Sequence, residues 1–204
     1  QRQMCIRDSW WTLGRSCGLP ANPTRFVRTA GRRGTDGEMN ASEILLDGFS
    51  RIKDGVHGVL DGIDEQRLGL RVAPDANTIA WLIWHLTRVQ DAQVADVAGH
   101  DQVWTTGGWY ESFALPFGPE ASGYGQSPEE VRRVVAEPEQ LLGYYDATHE
   151  ATVAYLSTLD DDDLDRVVDD NWDPPVTLGV RLVSVVDDDA KHLGQAEFLR
   201  GLDA

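Results

Sequence analysis

An aspartate and a histidine near the C-terminus, Asp188 and His192, are spaced one helical turn apart. Residues i and i+4 of an α-helix share one face, with Cβ atoms about 5–6 Å apart, so this carboxylate and imidazole can bind one cation. The same pair can also form an ordinary surface ion pair, which stabilises a helix by only about 0.2–0.5 kcal/mol. The spacing alone leaves both interpretations open.

His85 is the candidate for a third ligand, because it is the single polar group on the apolar inner face of a second predicted helix. A histidine in such a place is often a hydrogen-bonded core residue instead, and burying it without a partner costs about 1–3 kcal/mol. The remaining histidines lie beside glycines, acids or loops, and His149 is the reserve ligand among them. The sequence therefore predicts a site built from His85, Asp188 and His192.

Apolar residues that recur at three- and four-residue steps predict the elements that must position this site. Ser127 followed by Pro128 is a strong helix start, and Pro138 in the same predicted helix indicates a bend or a break. Thr177 is the expected cap of the last helix. The predicted fold class is all-α, a four-helix bundle with helices over about 39–63, 77–98, 127–159 and 178–202.

Two long connections separate these helices, one between helices two and three and one between helices three and four. The first, over 99–126, is rich in glycine, proline and aromatic residues, and a loop of this length in a compact domain is usually functional. The second contains an aspartate run at 160–165 that lacks the glycine and terminal glutamate of an EF-hand calcium loop. We interpret that run as a solvated acidic turn.

Composition limits the class of protein. The chain has 204 residues, of which 41% are hydrophobic and 25% charged, which suits one globular domain. A net charge of −16 repels a nucleic-acid backbone. No apolar run approaches the roughly 20 residues of a membrane span, and no secretory segment stands out. We therefore expect a cytoplasmic protein that binds neither nucleic acid nor membrane.

The first 38 residues differ from the rest of the chain. They contain seven arginines, three acids and both cysteines, Cys5 and Cys17, without a sustained period. A targeting peptide, a flexible basic arm and non-native sequence are the three interpretations. The opening residues resemble translated adapter sequence, which favours the last. We therefore predict a disordered or non-native leader over 1–38 and a bundle domain over 39–204, whose lack of cysteine excludes a thiolate metal site and a cysteine nucleophile.

Three stretches carry a family resemblance. TIAWLIWHLTRVQD at 78–91, GGWYESFALPFG at 107–118 and the segment WDPPVTLGVRLVSVVDDDAKHLGQAEFLRGL at 172–202 resemble the DinB-like superfamily of four-helix metalloproteins. The resemblance covers about residues 40–203 and is strongest to the branch of mycothiol-dependent S-transferases related to maleylpyruvate isomerase. It implies that His85, Asp188 and His192 are the metal ligands. Asp188 stands where the family commonly has histidine or glutamate, so its arm is shorter.

The resemblance implies a divalent-metal-dependent thiol S-transferase, which conjugates a low-molecular-weight thiol such as mycothiol to a small electrophile. Zinc is the favoured metal and nickel the alternative. Three nitrogen or oxygen ligands leave an open position, as in catalytic zinc sites, and a cation favours the deprotonated form of a thiol. Two alternatives remain: a noncatalytic metal- or small-molecule-binding stress-response protein, and a structural ion pair in a dimerising bundle.

The same resemblance suggests roles for further residues. Arg181 would bind a carboxylate of the cosubstrate, while Trp109 and Trp172 would wall the pocket. Gln195 and Asp189 would orient the ligands. Arg181 can instead be a helix-end cation or part of an interhelical ion pair, and the tryptophans can be satellite core. We expect no catalytic residue beyond the metal site. The expected partners are small molecules, and the sequence leaves open whether the protein forms a homodimer.

Overall fold

A computed structural model of the chain describes residues 39–202. The prediction of a leader over 1–38 lies outside these residues. Within them, four long helices dominate, and the all-α prediction is confirmed. The long helices are α1 (Ala41–Leu60), α3 (Ile79–Ala98), α7 (Pro138–Leu156) and α8 (Leu178–Gly201).

Local capping chemistry sets where these helices begin. Asn40 and Glu43 form a capping box, in which each side chain accepts the other residue's backbone N–H at 2.8 Å. Thr78 caps α3 and Thr177 caps α8, each through its side-chain oxygen. Gly99 ends α3 with a positive φ of 75°, which glycine adopts without strain. These caps set the first residues of α3 and α8 and the last residue of α3.

The third predicted helix is two helices. A short α6 (Pro128–Val131) ends before an irregular segment, and Pro138 is the first residue of α7. Proline lacks a backbone N–H and clashes with a preceding helical turn, but the first position of a helix tolerates it. Of the two predicted effects of Pro138, the break is therefore the correct one.

The connections between the long helices contain short elements that periodicity did not predict. Three short helices are α2 (Glu65–Leu68), α4 (Val103–Thr106) and α5 (Trp109–Phe113). A 3-10 turn at Asp163–Asp165 precedes a small antiparallel ribbon of β1 (Val167–Asp169) and β2 (Val176–Thr177), in which Val167 pairs with Thr177. Elements of two to five residues are too short to show a period. The ribbon holds the 170–175 turn beside α8.

Helix α3 packs against both α7 and α8, and α1 packs against the same two helices. Every residue from 79 to 88 is buried, so the first half of α3 has no solvent face. This burial encloses polar side chains, including His85, Arg88 and Asp91, which then require internal partners. Within the described residues, no helix has the length and apolar character of a bilayer span.

Candidate metal centre

The structure brings His85 of α3 together with Asp188 and His192 of α8. Each residue offers one ligand atom, and these atoms lie within 4.8 Å of one another. All three side chains are buried, with relative exposures of 1%, 4% and 7%. The imidazole rings of His85 and His192 meet edge to face, with centroids 4.7 Å apart and planes at 78°. The predicted trio is thus one compact, buried cluster.

Hydrogen bonding within the cluster is incomplete. His192 Nε2 and Asp188 Oδ1 are 3.7 Å apart, which is too far for a hydrogen bond. Asp188 Oδ2 and His192 Nδ1 are buried without any hydrogen-bond partner in the described part of the chain. Buried polar atoms normally have hydrogen-bond partners, so two unpaired atoms here indicate a missing partner. A bound cation would supply that partner. The pair is buried, which excludes the surface ion pair considered from the sequence.

Burial sets the protonation states of the cluster. It lowers the pKa of His85 to about 3, an effect to which nearby His192 adds and which the Ser122 carbonyl opposes. His85 is therefore neutral at physiological pH, and neutral imidazole is the form that binds metals. Burial also raises the pKa of Asp188 to about 6, a shift that Lys191 opposes and Asp187 adds to. A cation beside Asp188 would favour the carboxylate form.

The orientation of His85 is set by the segment that ends the first long connection. His85 Nδ1 lies 2.5 Å from the backbone oxygen of Ser122. A carbonyl oxygen only accepts, so Nδ1 carries the proton and Nε2 keeps its lone pair for a ligand. The ring also stacks on Trp81, with centroids 4.4 Å apart. Gly123, with φ of 95°, approaches so closely that a Cβ there would lie 2.7 Å from His85 Nδ1.

A cavity of about 890 Å³ adjoins the cluster, and both His85 and Asp188 line it. Its other walls come from α3, α8, the 122–124 segment and the β ribbon. Apolar and polar groups alternate around it, including Val89, Tyr124, Trp172, Val176, Arg181 and Ser184. A second cavity of about 510 Å³, beside His57 and Glu139, includes none of the three clustered residues.

Arg181 lines the cavity and is also an ion-pair partner. Its Nη1 donates to Gln93 Oε1 at 2.5 Å, and its Nη2 donates to Asp169 Oδ2 at 3.3 Å. Asp169 Oδ2 accepts the indole N–H of Trp172 at 3.2 Å as well. Asp169 thus fixes Arg181 and Trp172 together at one wall. Sequence reasoning missed Asp169 and Gln93, since neither the ribbon nor its approach to α3 has a periodic signal.

Other predicted residues lie elsewhere. Trp109 packs against Phe113 and Tyr144, with centroid distances of 6.5 and 5.9 Å, in an aromatic cluster away from the cavity walls. This position fits the alternative in which the tryptophan packs in a satellite core and does not wall the pocket. His149, the reserve ligand, stacks on Tyr145 of α7 and is not part of the cluster.

The two residues expected to orient the ligands differ in their surroundings. Burial lowers the pKa of His192, and the side chain of Gln195 opposes this shift, which places Gln195 beside that ligand. Asp189 is fully buried, and neither of its oxygens has a hydrogen-bond partner among the described residues. Burial, and to a smaller extent Asp188, raises its pKa well above the usual range. The structure shows no hydrogen bond from Asp189 to a ligand.

Comparisons with known proteins agree with this architecture. The family model of the DinB superfamily matches residues 49–196, a range that includes the whole His85, Asp188 and His192 cluster. A solved structure described as a conserved protein of locus from Enterococcus faecalis is 33% identical, with a TM-score of 0.75. The alignment covers 80% of this chain and 96% of that chain. Among curated proteins, none matches.

Proposed function

The chain belongs to the DinB superfamily, and on this basis we propose that it is a divalent-metal-dependent thiol S-transferase. In this proposal the protein conjugates a low-molecular-weight thiol of the mycothiol kind to a small electrophile. One observation carries the proposal: three potential ligand atoms lie within 4.8 Å of one another, and two of their residues line a cavity of about 890 Å³. A buried metal site with an adjoining cavity suits catalysis better than a purely structural role.

His85, Asp188 and His192 would hold the metal, with zinc favoured and nickel as the alternative. The orphaned Asp188 Oδ2 and His192 Nδ1 support this assignment, as does the hydrogen bond at His85 Nδ1, which leaves the lone pair on Nε2. When bound, a divalent ion lowers the pKa of a thiol that approaches it and so favours the nucleophilic thiolate. The domain has no cysteine of its own, which fits a thiol supplied by a cosubstrate.

Arg181 would bind an anionic group of the thiol cosubstrate. Its contacts with Gln93 and Asp169 use two of the five N–H groups of a guanidinium. The remaining donors can bind a carboxylate inside the cavity that Arg181 lines. Because Gln93 and Asp169 hold the side chain in place, little conformational entropy is lost on binding.

The apolar part of the cavity would hold the electrophile beside the thiol. Trp172, Val89 and Val176 present apolar surface there and would exclude water from the reacting atoms. The transfer forms one sulfur–carbon bond and releases the thiol proton to solvent. The electrophile either takes up a proton after addition or loses a leaving group after substitution.

Turnover with a fluorogenic electrophile tests the proposal. Protein purified without chelator and loaded with zinc is incubated with monochlorobimane and mycothiol, with glutathione and free cysteine as comparison thiols. We expect conjugate above the uncatalysed rate, and loss of this rate in His192→Ala. His100→Ala is the control, because His100 is exposed, lies outside the cluster and has its ring beside the neighbouring Asp101 backbone oxygen.

Two results would overturn the proposal. Equal rates in wild type and His192→Ala would remove the role of the cluster in transfer. Bound metal without turnover of any thiol would instead favour the alternative, a noncatalytic metal- or small-molecule-binding protein.

A further inference from the structure

We infer that Arg88 is a positioning residue for His85, although its guanidinium hydrogen bonds to none of the three clustered residues. In this inference, which rests on the proposed metal site, Arg88 holds the 119–123 segment against the His85 ring. That contact sets both the tautomer and the direction of the ligand nitrogen.

Arg88 lies three residues after His85 on α3 and is completely buried, with a relative exposure of 0%. A buried guanidinium must have its N–H groups satisfied inside the protein. Its Nε donates to the Ala121 carbonyl at 3.0 Å, and its Nη2 donates to the Pro119 carbonyl at 3.2 Å. One side chain of α3 therefore binds the connecting segment at two backbone points.

The bound segment continues directly into the His85 contact. Ser122 follows Ala121 in the chain, and its carbonyl oxygen accepts the hydrogen bond from the Nδ1–H of His85. Consecutive Cα atoms are only about 3.8 Å apart, so a carbonyl held at 121 restricts the position of the carbonyl at 122. Gly123 then passes close to both His85 and Trp81, in a space that a Cβ would fill. Movement of this segment would remove the proton acceptor of the ligand.

The guanidinium itself is held from its other side. Its Nη1 donates to Gln102 Oε1 at 2.9 Å and to the Tyr144 hydroxyl at 3.1 Å. The Asp91 carboxylate lies 3.6 Å away and balances its charge, while the guanidinium carbon lies 5.0 Å from the centre of the Trp104 ring. These contacts hold the planar guanidinium of Arg88 in a single orientation. Lysine, with a single ammonium group, cannot reproduce that geometry.

Loss of a group that orients a metal ligand typically weakens metal affinity by about 10–100-fold. The test is the Zn²⁺ dissociation constant of wild type, Arg88→Lys and Arg88→Met, measured by competition with a chromophoric chelator. The tautomer of His85 is read from imidazole ¹⁵N chemical shifts of the metal-free protein. We expect a dissociation constant raised by about 10–100-fold in both variants, and a loss of the single Nδ1–H tautomer.

Gln90→Met is the matched control. Gln90 is also fully buried on α3, but it bonds to Thr152 of α7, away from the 119–123 segment. Loss of general stability would lower the melting temperature in both sets of variants without changing the tautomer. The inference would be overturned if the Arg88 variants kept the wild-type Zn²⁺ affinity and the wild-type His85 tautomer, although their melting temperature was as low as that of Gln90→Met or lower.

Gly123→Ala tests the same contact if the Arg88 variants do not fold. Its added Cβ would lie 2.7 Å from His85 Nδ1 and displace the segment or the ring, with Arg88 intact. We expect the same loss of tautomer and affinity, and an unchanged tautomer would count against the inference. If wild type binds no Zn²⁺, the proposed function fails, whereas the tautomer measurement on metal-free protein still decides the role of Arg88.

Discussion

Trp81 and His85 stack almost face to face, with ring centroids 4.4 Å apart and planes at 18°. The same indole contacts His192 edge-on, at 6.1 Å. Both imidazoles therefore rest against one buried tryptophan, whose indole N–H donates to Gln126 at 2.7 Å. This arrangement limits the rotation of both rings, so the cluster is organised by the protein core before any ligand binds.

Removal of His85 should abolish metal-dependent stabilisation. At a free zinc concentration about 100-fold above the dissociation constant, binding stabilises the folded state by about 2.7 kcal/mol. We expect zinc to raise the melting temperature of wild type and of His100→Ala, but not that of His85→Ala. Each protein is compared with and without zinc, because His85→Ala also leaves a cavity. A zinc-dependent increase in His85→Ala equal to that of wild type would exclude this residue as a ligand.

The two predicted tryptophans should behave differently. Trp172 lines the cavity, so Trp172→Ala should raise the KM for the electrophile by about tenfold, as expected for the loss of about 1.4 kcal/mol of binding. Trp109 packs against Phe113 and Tyr144 and is half-buried, so Trp109→Ala should leave KM unchanged and lower the free energy of unfolding by about 0.5–3 kcal/mol. Urea unfolding and steady-state kinetics separate these effects. A raised KM in Trp109→Ala would instead support its predicted place in the pocket.

Asp91 should be one of the most sensitive positions for stability. Its buried carboxylate accepts the backbone N–H groups of Val103 and Trp104 and the Tyr144 hydroxyl. Removing one partner of a buried charge pair costs about 3–5 kcal/mol, since Arg88 would remain uncompensated. Asp91→Ala should show this loss in urea unfolding. Asp96→Ala, on an exposed position of the same helix, should change stability by less than about 0.5 kcal/mol, and similar losses in both would contradict this account.

His149 should make stability depend on pH. Burial lowers its pKa, Lys53 adds to this shift, and Asp146 and Glu150 oppose it. In the unfolded chain, histidine binds a proton near pH 6.5, whereas folded His149 does so only at lower pH. Its contribution is therefore fully present above about pH 6.5 and is lost as pH falls towards the lowered pKa.

His149→Leu isolates this effect, because all other titrating groups are shared with wild type. The stability of wild type relative to the variant should decrease between pH 7.5 and pH 5. Urea unfolding at several pH values measures the difference, and parallel stability curves would show that the pKa of His149 is the same in the folded and unfolded states.

Local sequence signals predicted α1, α3 and α8, whereas the third predicted helix is α6 and α7 with a break between them. Capping residues such as Thr78 and Thr177 act within one turn, and helical periodicity is local, so both signals are readable without the fold. For the same reason, the spacing of Asp188 and His192 was enough to place them on one helix face. His85 was identified in the same way, as the single polar group on the apolar face of a predicted helix, and the resemblance to the DinB-like superfamily pointed to the same residue.

Which side chains come into contact depends on the tertiary structure and could not be predicted from local spacing. The approach of α3 to α8 brings His85 to Asp188 and His192, and it separates Trp172 in the cavity wall from Trp109 in the aromatic cluster. The role of Asp169 depends on a three-residue strand, and that of Arg88 on backbone carbonyls, and neither has a side-chain pattern in the sequence. Contacts between residues far apart in the chain follow from how whole helices and connections pack together, and local spacing contains no record of that packing.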